Sequence, residues 1–359
     1  MLDKDRLVTT FCDIVQIDSP SGEEEEMAQD LTRRLTDLGF TIARDAHGNL
    51  LASEEGSDPL MLSAHMDTVE PGRGIKPRVV GDEVHTDGAT ILGGDCKAGI
   101  AAILEALESV REDGLQRIPV QLVFTRGEEI GLVGAWNLDF SMVQARQAVV
   151  FDGNGPVNTV ITASPTYVGF DVHVTGRSAH AGVEPEKGLN AIRIAADIIG
   201  RLPQGRMDDE TTINVGLISG GSVRNAVPEE AFFSGEFRSR NTETLELLRL
   251  QVEGALSKAR EDYTEAKIVG DLNVQFHTYH LPNDHVMVQR ATGVLGDLGL
   301  RPDLKPTGGG TDANVFNRHG IPAVVVGMST NLMHTTREYV DIPDLYDTAK
   351  FCQALLLKR

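Results

Sequence analysis

Two adjacent carboxylates, Glu128 and Glu129, sit in the glycine-flanked stretch Arg126-Gly127-Glu128-Glu129-Ile130-Gly131. Neighbouring acids repel unless a cation or a proton intervenes. A solvated acidic loop is the plain alternative. The apolar run before them, bounded by Pro119, reads as a buried strand. Other apolar runs end in the same way. Leu60–Ala64 is followed by His65-Met66-Asp67, and Ala148–Phe151 by Asp152-Gly153. The turn Gly93-Gly94-Asp95 precedes a helix, and His334 follows the last strand candidate.

Each residue alone has a structural reading. A lone histidine after a strand is usually a packed one, but Asp67 two positions after His65 suits a carboxylate that fixes an imidazole's tautomer. The glycines before Asp95 could instead cradle a phosphate, although the Gly-Lys-Ser/Thr end of a P-loop is absent. Taken together, these side chains crowd the carboxyl ends of strands, where open α/β sheets place their ligands. Nitrogen and oxygen donors without thiolate suit zinc, cobalt or manganese. One bridging carboxylate with two outer ligands per ion is a common way to hold two metals about 3.5–4 Å apart.

The elements that must position these residues are legible in part. The chain has 359 residues, 41% of them hydrophobic, a net charge of −20 and three cysteines. That length suits two domains or one large one. No window reads as a membrane span, and charges interrupt the first twenty residues, so no signal-peptide core is visible. Cys12, Cys96 and Cys352 are odd in number and far apart, which argues for a reducing cytoplasm over a disulfide framework. The acidic balance argues against nucleic acid and anionic membrane as partners.

Helices are expected over 3–16, 97–110, 285–298 and 343–357. Ser21 and Glu24 have capping-box spacing before another, closed by Gly39. Strands are expected at 40–44, 48–53, 60–64 and 322–326, with a hairpin over 78–92. Residues 164–277 change character. They read as strand 167–174, helix 187–201, strands 211–218 and 231–238, helix 242–261 and strand 266–276. This βαββαβ order is a ferredoxin-like unit of a size suited to an inserted domain. The expected organisation is a discontinuous domain of residues 1–163 and 278–359, with 164–277 inserted. The expected class is α/β, with a mixed sheet and helices on both faces.

The motifs SAHMDTV (63–69), HTDGATILGGDCKAG (85–99), FTRGEEIG (124–131), FDG (151–153), GRSAHAG (176–182), GGGTDAN (308–314) and MHTTRE (333–338) resemble those of the M20 metallopeptidase family. Within it they resemble the peptidase T-like aminotripeptidases. They occur in the family's order and span most of the chain.

The resemblance implies that His65, Asp95 and Asp152 hold one metal and that Asp95, Glu129 and His334 hold the other. Zinc is the expected ion, with cobalt or manganese as alternatives. Asp67 would orient His65, and Glu128 would be the general base. The inserted domain would be a lid that pairs two subunits. In it His180, Asn225 and Arg238 would meet the substrate, Arg238 through a carboxylate. The family usually has Asp after the bridging Asp, where this chain has Cys96, and the family's peptide at that point is cis. A thiolate ligand and a buried inert thiol are the two readings of Cys96.

The activity expected is removal of the N-terminal residue from short peptides, with tripeptides favoured. An N-acyl-amino-acid amidohydrolase or a carboxypeptidase of the same family is the alternative. A non-catalytic metal- or peptide-binding protein would have no need of Glu128.

Overall fold

Leu60–His65, Val120–Thr125 and Ala148–Gly153 are buried at every position. Runs of this kind need cover on both sheet faces, as parallel strands do. In the computed structural model, which describes residues 1–357, they form the middle of a nine-stranded mixed sheet. Across the sheet the strands run Thr41–Arg44, Leu50–Ser53, Val120–Thr125, Leu60–His65, Ala148–Gly153, Ala323–Gly327, Thr159–Ser164 and Tyr279–His280, with Asp303–Pro306 beside Thr159–Ser164. Leu60–His65 lies parallel to both of its neighbours, and Ala323–Gly327 parallel to Ala148–Gly153. Four strands therefore deliver their carboxyl ends to one edge.

The helix Gly94–Glu112 packs on the central strands and on the helices Lys4–Val15 and Ile342–Leu357. Gly99 allows its close approach, because a Cβ there would lie 2.6 Å from the Phe151 Cβ. That contact brings the Asp95 turn beside Asp152.

The chain divides into two compact units. One is Met1–Ala163 with the chain from Tyr279 on, and the other is Ser164–Thr278. The second has a five-stranded antiparallel sheet, ordered Gly205–Arg206, Thr211–Gly220, Glu230–Ser239, Thr166–Thr175 and Lys267–Phe276. The first long strand lies between the third and fourth, as a ferredoxin-like βαββαβ unit requires. Its strands alternate, so Val168, Phe170, Val172 and Val174 face a core shared with the helices Ala191–Gly200 and Thr242–Asp262. Among the described residues, no helix is long and apolar enough to cross a membrane.

Two local expectations are corrected. The 78–92 hairpin is shorter, with Arg78–Val80 paired to Glu83–His85 and the rest irregular. The Ser21/Glu24 capping box does not form: Glu24 occupies the N-cap position of the helix Glu25–Asp37 without a side-chain cap. Both side chains are engaged elsewhere, as described next.

Candidate metal centre

His65 ends its strand almost fully buried. Its Nδ1 lies 2.9 Å from the backbone carbonyl of Asp67. A carbonyl only accepts, so Nδ1 donates, and Nε2 is the nitrogen left to present a lone pair to a metal when one is bound. That Nε2 is 3.1 Å from Asp95 Oδ1 and 3.8 Å from Asp152 Oδ1. The orienting partner is thus chiefly the main chain of Asp67, whose carboxylate Oδ1 is 3.4 Å from Nδ1.

The Asp67 carboxylate has a second task. It accepts from the backbone N–H groups of Glu128 at 3.0 Å and Glu129 at 3.2 Å, and from the Ser21 hydroxyl at 2.7 Å. Glu24 supports the same loop, accepting from Gly127 N at 3.0 Å and from Arg126 Nε at 2.7 Å. Gly134 lets the following turn close on that loop, because a Cβ there would lie 2.2 Å from the Arg126 carbonyl oxygen. Buried carboxylates pinned by backbone donors hold a loop firmly, since each such bond is charge-assisted.

Asp95 comes two residues after Gly93, whose backbone is left-handed at φ 70°, and the Asp95–Cys96 peptide is cis. One carboxylate oxygen faces His65, and the other lies 3.1 Å from His334 Nε2. Burial works against its charge, yet His334 and His65 hold this carboxyl well below the usual range. Glu338 fixes the turn. It is 1% exposed and accepts from Leu92 N and Gly93 N at 2.9 Å each and from Asp95 N at 3.2 Å. Burial, then the nearby Asp95, pushes the Glu338 carboxyl up to about 7. Glu338→Ala leaves three buried N–H groups without an acceptor, so Asp95 should lose its placement. We expect metal affinity to fall by about 10–100-fold, the usual cost of losing a group that orients a ligand. Chelator competition measures this, and unchanged affinity would refute the brace.

The Cys96 thiol donates to the Phe151 carbonyl at 2.9 Å, and burial raises its pKa well above the ordinary value. It is held as a thiol, which disfavours the thiolate reading. Lys97 is buried, with Nζ donating to the Ile17 carbonyl at 2.7 Å. The turn therefore offers a carboxylate and no phosphate cradle.

His334 closes the site from a loop in which Ser329, Leu332 and His334 all adopt left-handed backbone, at φ 74°, 55° and 62°. Such non-glycine geometry costs on the order of 1–3 kcal/mol per residue and persists only where the surroundings enforce it. Asp95, then Glu129, pushes the His334 imidazole up to about 10.

Potential ligand atoms converge in overlapping groups: His65, Asp95, Cys96 and Asp152; His65, Glu128 and Glu129; and Asp95, Glu129 and His334. Burial, then Asp152, pushes the Glu128 carboxyl well above its usual range; burial, then Asp95, does the same to Asp152. A divalent cation offsets such concentrated negative charge. One atom tests the fit. Glu129 Oε1 is buried without a hydrogen-bond partner although His334 Nε2 is 3.0 Å away. The two are close but not aimed at each other as donor and acceptor, an arrangement suited to sharing a cation. The donor set fits a metal.

Asp312 also packs near this centre. Thr125 Oγ1 donates to its Oδ2, its Oδ1 is buried without a hydrogen-bond partner, and burial raises its carboxyl to about 6. The functional candidates that the sequence reading passed over are thus Ser21, Glu24, Glu338 and Asp312. Glu338 and Asp312 stand inside quoted motifs, MHTTRE and GGGTDAN, which was the available signal.

The remaining candidates lie in the second unit. His180 and Asn225 are both exposed, on short paired segments where His180 is opposite Ala226 and Ala181 N donates to the Asn225 carbonyl. The Arg238 guanidinium stacks over the Tyr167 ring at 4.3 Å and donates to Glu236 through Nε and Nη2 at 3.1 and 2.7 Å.

Residues 162–264 match the model of the peptidase dimerisation domain, and residues 47–161 match that of peptidase family M28. YqjE of Bacillus subtilis (strain 168), itself uncharacterised, is 36% identical over 367 residues, 99% of each chain. The crystal structure of aminopeptidase PepT from Bacillus cereus is 34% identical, with a TM-score of 0.89 over 99% of this chain and 98% of that one. That of a tripeptidase from Staphylococcus aureus is 31% identical, with a TM-score of 0.93 over 99% and 98% of the two chains.

Proposed function

We infer the activity of this chain from its kinship, for it belongs to the peptidase T-like branch of the M20 metallopeptidase family. It is a metallo-aminopeptidase hydrolase. Beyond that, the reading is a two-metal enzyme that removes the N-terminal residue from free tripeptides. The observation that carries the two-metal reading is Asp95, whose two oxygens each lie 3.1 Å from a different imidazole, those of His65 and His334. One ion is assigned to His65, Asp95 and Asp152, the other to Asp95, Glu129 and His334, with zinc favoured and cobalt or manganese as alternatives.

When bound, the metals supply positive charge that polarises the scissile carbonyl and acidifies the attacking water. Glu128 takes the proton from that water and gives it to the leaving amine. A carboxyl held above its usual range by burial suits a group that must keep a proton between those steps. Asp67, Ser21 and Glu24 hold the loop that aims it. In the second unit, His180 and Asn225 are assigned to substrate oxygens and Arg238 to the C-terminal carboxylate. Its fork suits a carboxylate, and the peptide would have to displace Glu236 from it. The remaining parts of the proposal are a homodimer through residues 164–277 and a cytoplasmic location.

The test is a panel of free tripeptides, free dipeptides, N-acetylated tripeptides and N-acyl amino acids, offered to metal-loaded protein. Free tripeptides should be cleaved to the first residue and a dipeptide, with acetylation abolishing the reaction. Faster cleavage of the acylated substrates would replace this reading with the amidohydrolase one.

A further inference from the structure

The cleft that holds the metal ligands also has a lysine in its lining. A cavity of about 340 Å³ is lined by the carboxylates of Asp95, Glu128, Glu129 and Asp152. Thr159, Ile161, Lys305, Thr307 and Met333 line it as well, and Lys305 is the only lysine or arginine among its described lining residues. Its place is set by the sheet. Asp303–Pro306 runs parallel to Thr159–Ser164 with Asp303 opposite Thr159 and Lys305 opposite Ile161. Strand alternation therefore puts these four side chains on one face.

The Lys305 ammonium is 3.3 Å from Asp303 Oδ2 and 3.5 Å from Thr159 Oγ1, both long contacts. The Lys305 and Asp303 side chains are 48% and 61% exposed. An ion pair this exposed contributes little and yields readily to a better partner.

We propose that this cavity receives the side chain of the substrate's first residue and that Lys305 selects an acidic one, glutamate or aspartate. The assignment rests on the aminopeptidase reading. With the scissile carbonyl at the metal ligands, only the first residue lies on its amino side. That residue has two features to place. Its α-ammonium is drawn to the carboxylate side and repelled by Lys305. A side-chain carboxylate has the opposite preference, and Lys305 offers it ammonium donors beside the Thr159 hydroxyl. Ile161 and Met333 supply apolar surface for the intervening methylenes. A basic first residue meets Lys305 with like charge, so selection works by repulsion as well as attraction.

The experiment compares kcat/KM for Glu-Gly-Gly, Gln-Gly-Gly and Lys-Gly-Gly in metal-loaded wild type, K305M and K305E. Gln is close to Glu in shape without the charge, so the ratio between them isolates Lys305. Wild type should favour the Glu peptide over the Gln peptide by about 10-fold, in line with a hydrogen bond to a charged group. The Lys peptide should be poorest. K305M should bring the Glu-to-Gln ratio close to one, and K305E should favour the Lys peptide. Equal rates for Glu and Gln peptides in wild type would overturn the assignment. So would K305M lowering all three peptides by one common factor, which would mark Lys305 as general to binding. Failure on every free tripeptide, with cleavage of N-acyl amino acids, would overturn the aminopeptidase premise and this assignment with it.

Discussion

Glu128→Gln should lower turnover by at least about 10²–10⁴-fold while metal content stays at the wild-type level. Gln is close to Glu in shape but cannot take a proton from water. The loop should survive the change, because it is held through backbone groups: Glu128 N and Glu129 N donate to Asp67, and Gly127 N to Glu24. Removing one of several buried carboxylates also relieves repulsion with Asp152. The adjacent residue should behave differently. Glu129 Oε1 is the buried atom without a hydrogen-bond partner beside His334. Glu129→Gln should therefore release the ion shared with His334 and Asp95 as well as slow the reaction. Glu128 also lies within ligand reach of His65 and Glu129, so a ligand role for it would show as metal loss in Glu128→Gln too. Measuring kcat and metal content on the same preparations decides it, and equal metal loss in both variants would refute the division of roles.

Asp95→Ala should remove both proposed ions and all measurable hydrolysis, the second large effect. Each Asp95 oxygen faces one imidazole, so no other single residue is common to both proposed sites. The fold should persist. The strands beneath the site are buried along their whole length and belong to a large core that does not depend on metal. Chelation of wild type should likewise abolish activity and leave cooperative thermal unfolding in place. Loss of the folded state on chelation would show the site to be structural.

The strands that carry the ligands were legible because each is a short apolar run closed by a chemically distinctive residue: Leu60–Ala64 before His65, Ala148–Phe151 before Asp152. The βαββαβ unit was legible because its strands alternate and its helices are amphipathic. Two further strands of the first sheet were not. Thr159–Ser164 mixes polar and apolar residues without alternating and Asp303–Pro306 is four residues ending in proline, so neither carries a clear period. The supporting carboxylates were hidden for a different reason. Glu338 meets the Asp95 amide across 243 residues and Glu24 meets the Gly127 amide across 103, and their partners are backbone groups with no sequence signature. Ser21 and Glu24 even mimic a capping box, because the same residue types that cap helices also accept from loop amides. Burial, which only the fold supplies, separates the two roles: Glu24 is fully buried, as an ordinary residue at a helix start is not.

The division of ligands around a shared Asp95 is tested most directly by elemental analysis of desalted protein after loading with zinc, on wild type and His334→Ala side by side. The account predicts two ions per chain for wild type and one for the variant, because His65, Asp95 and Asp152 remain as a complete set when His334 is removed. A wild-type value fixed at one ion per chain, unmoved by excess metal and unchanged in His334→Ala, would contradict it.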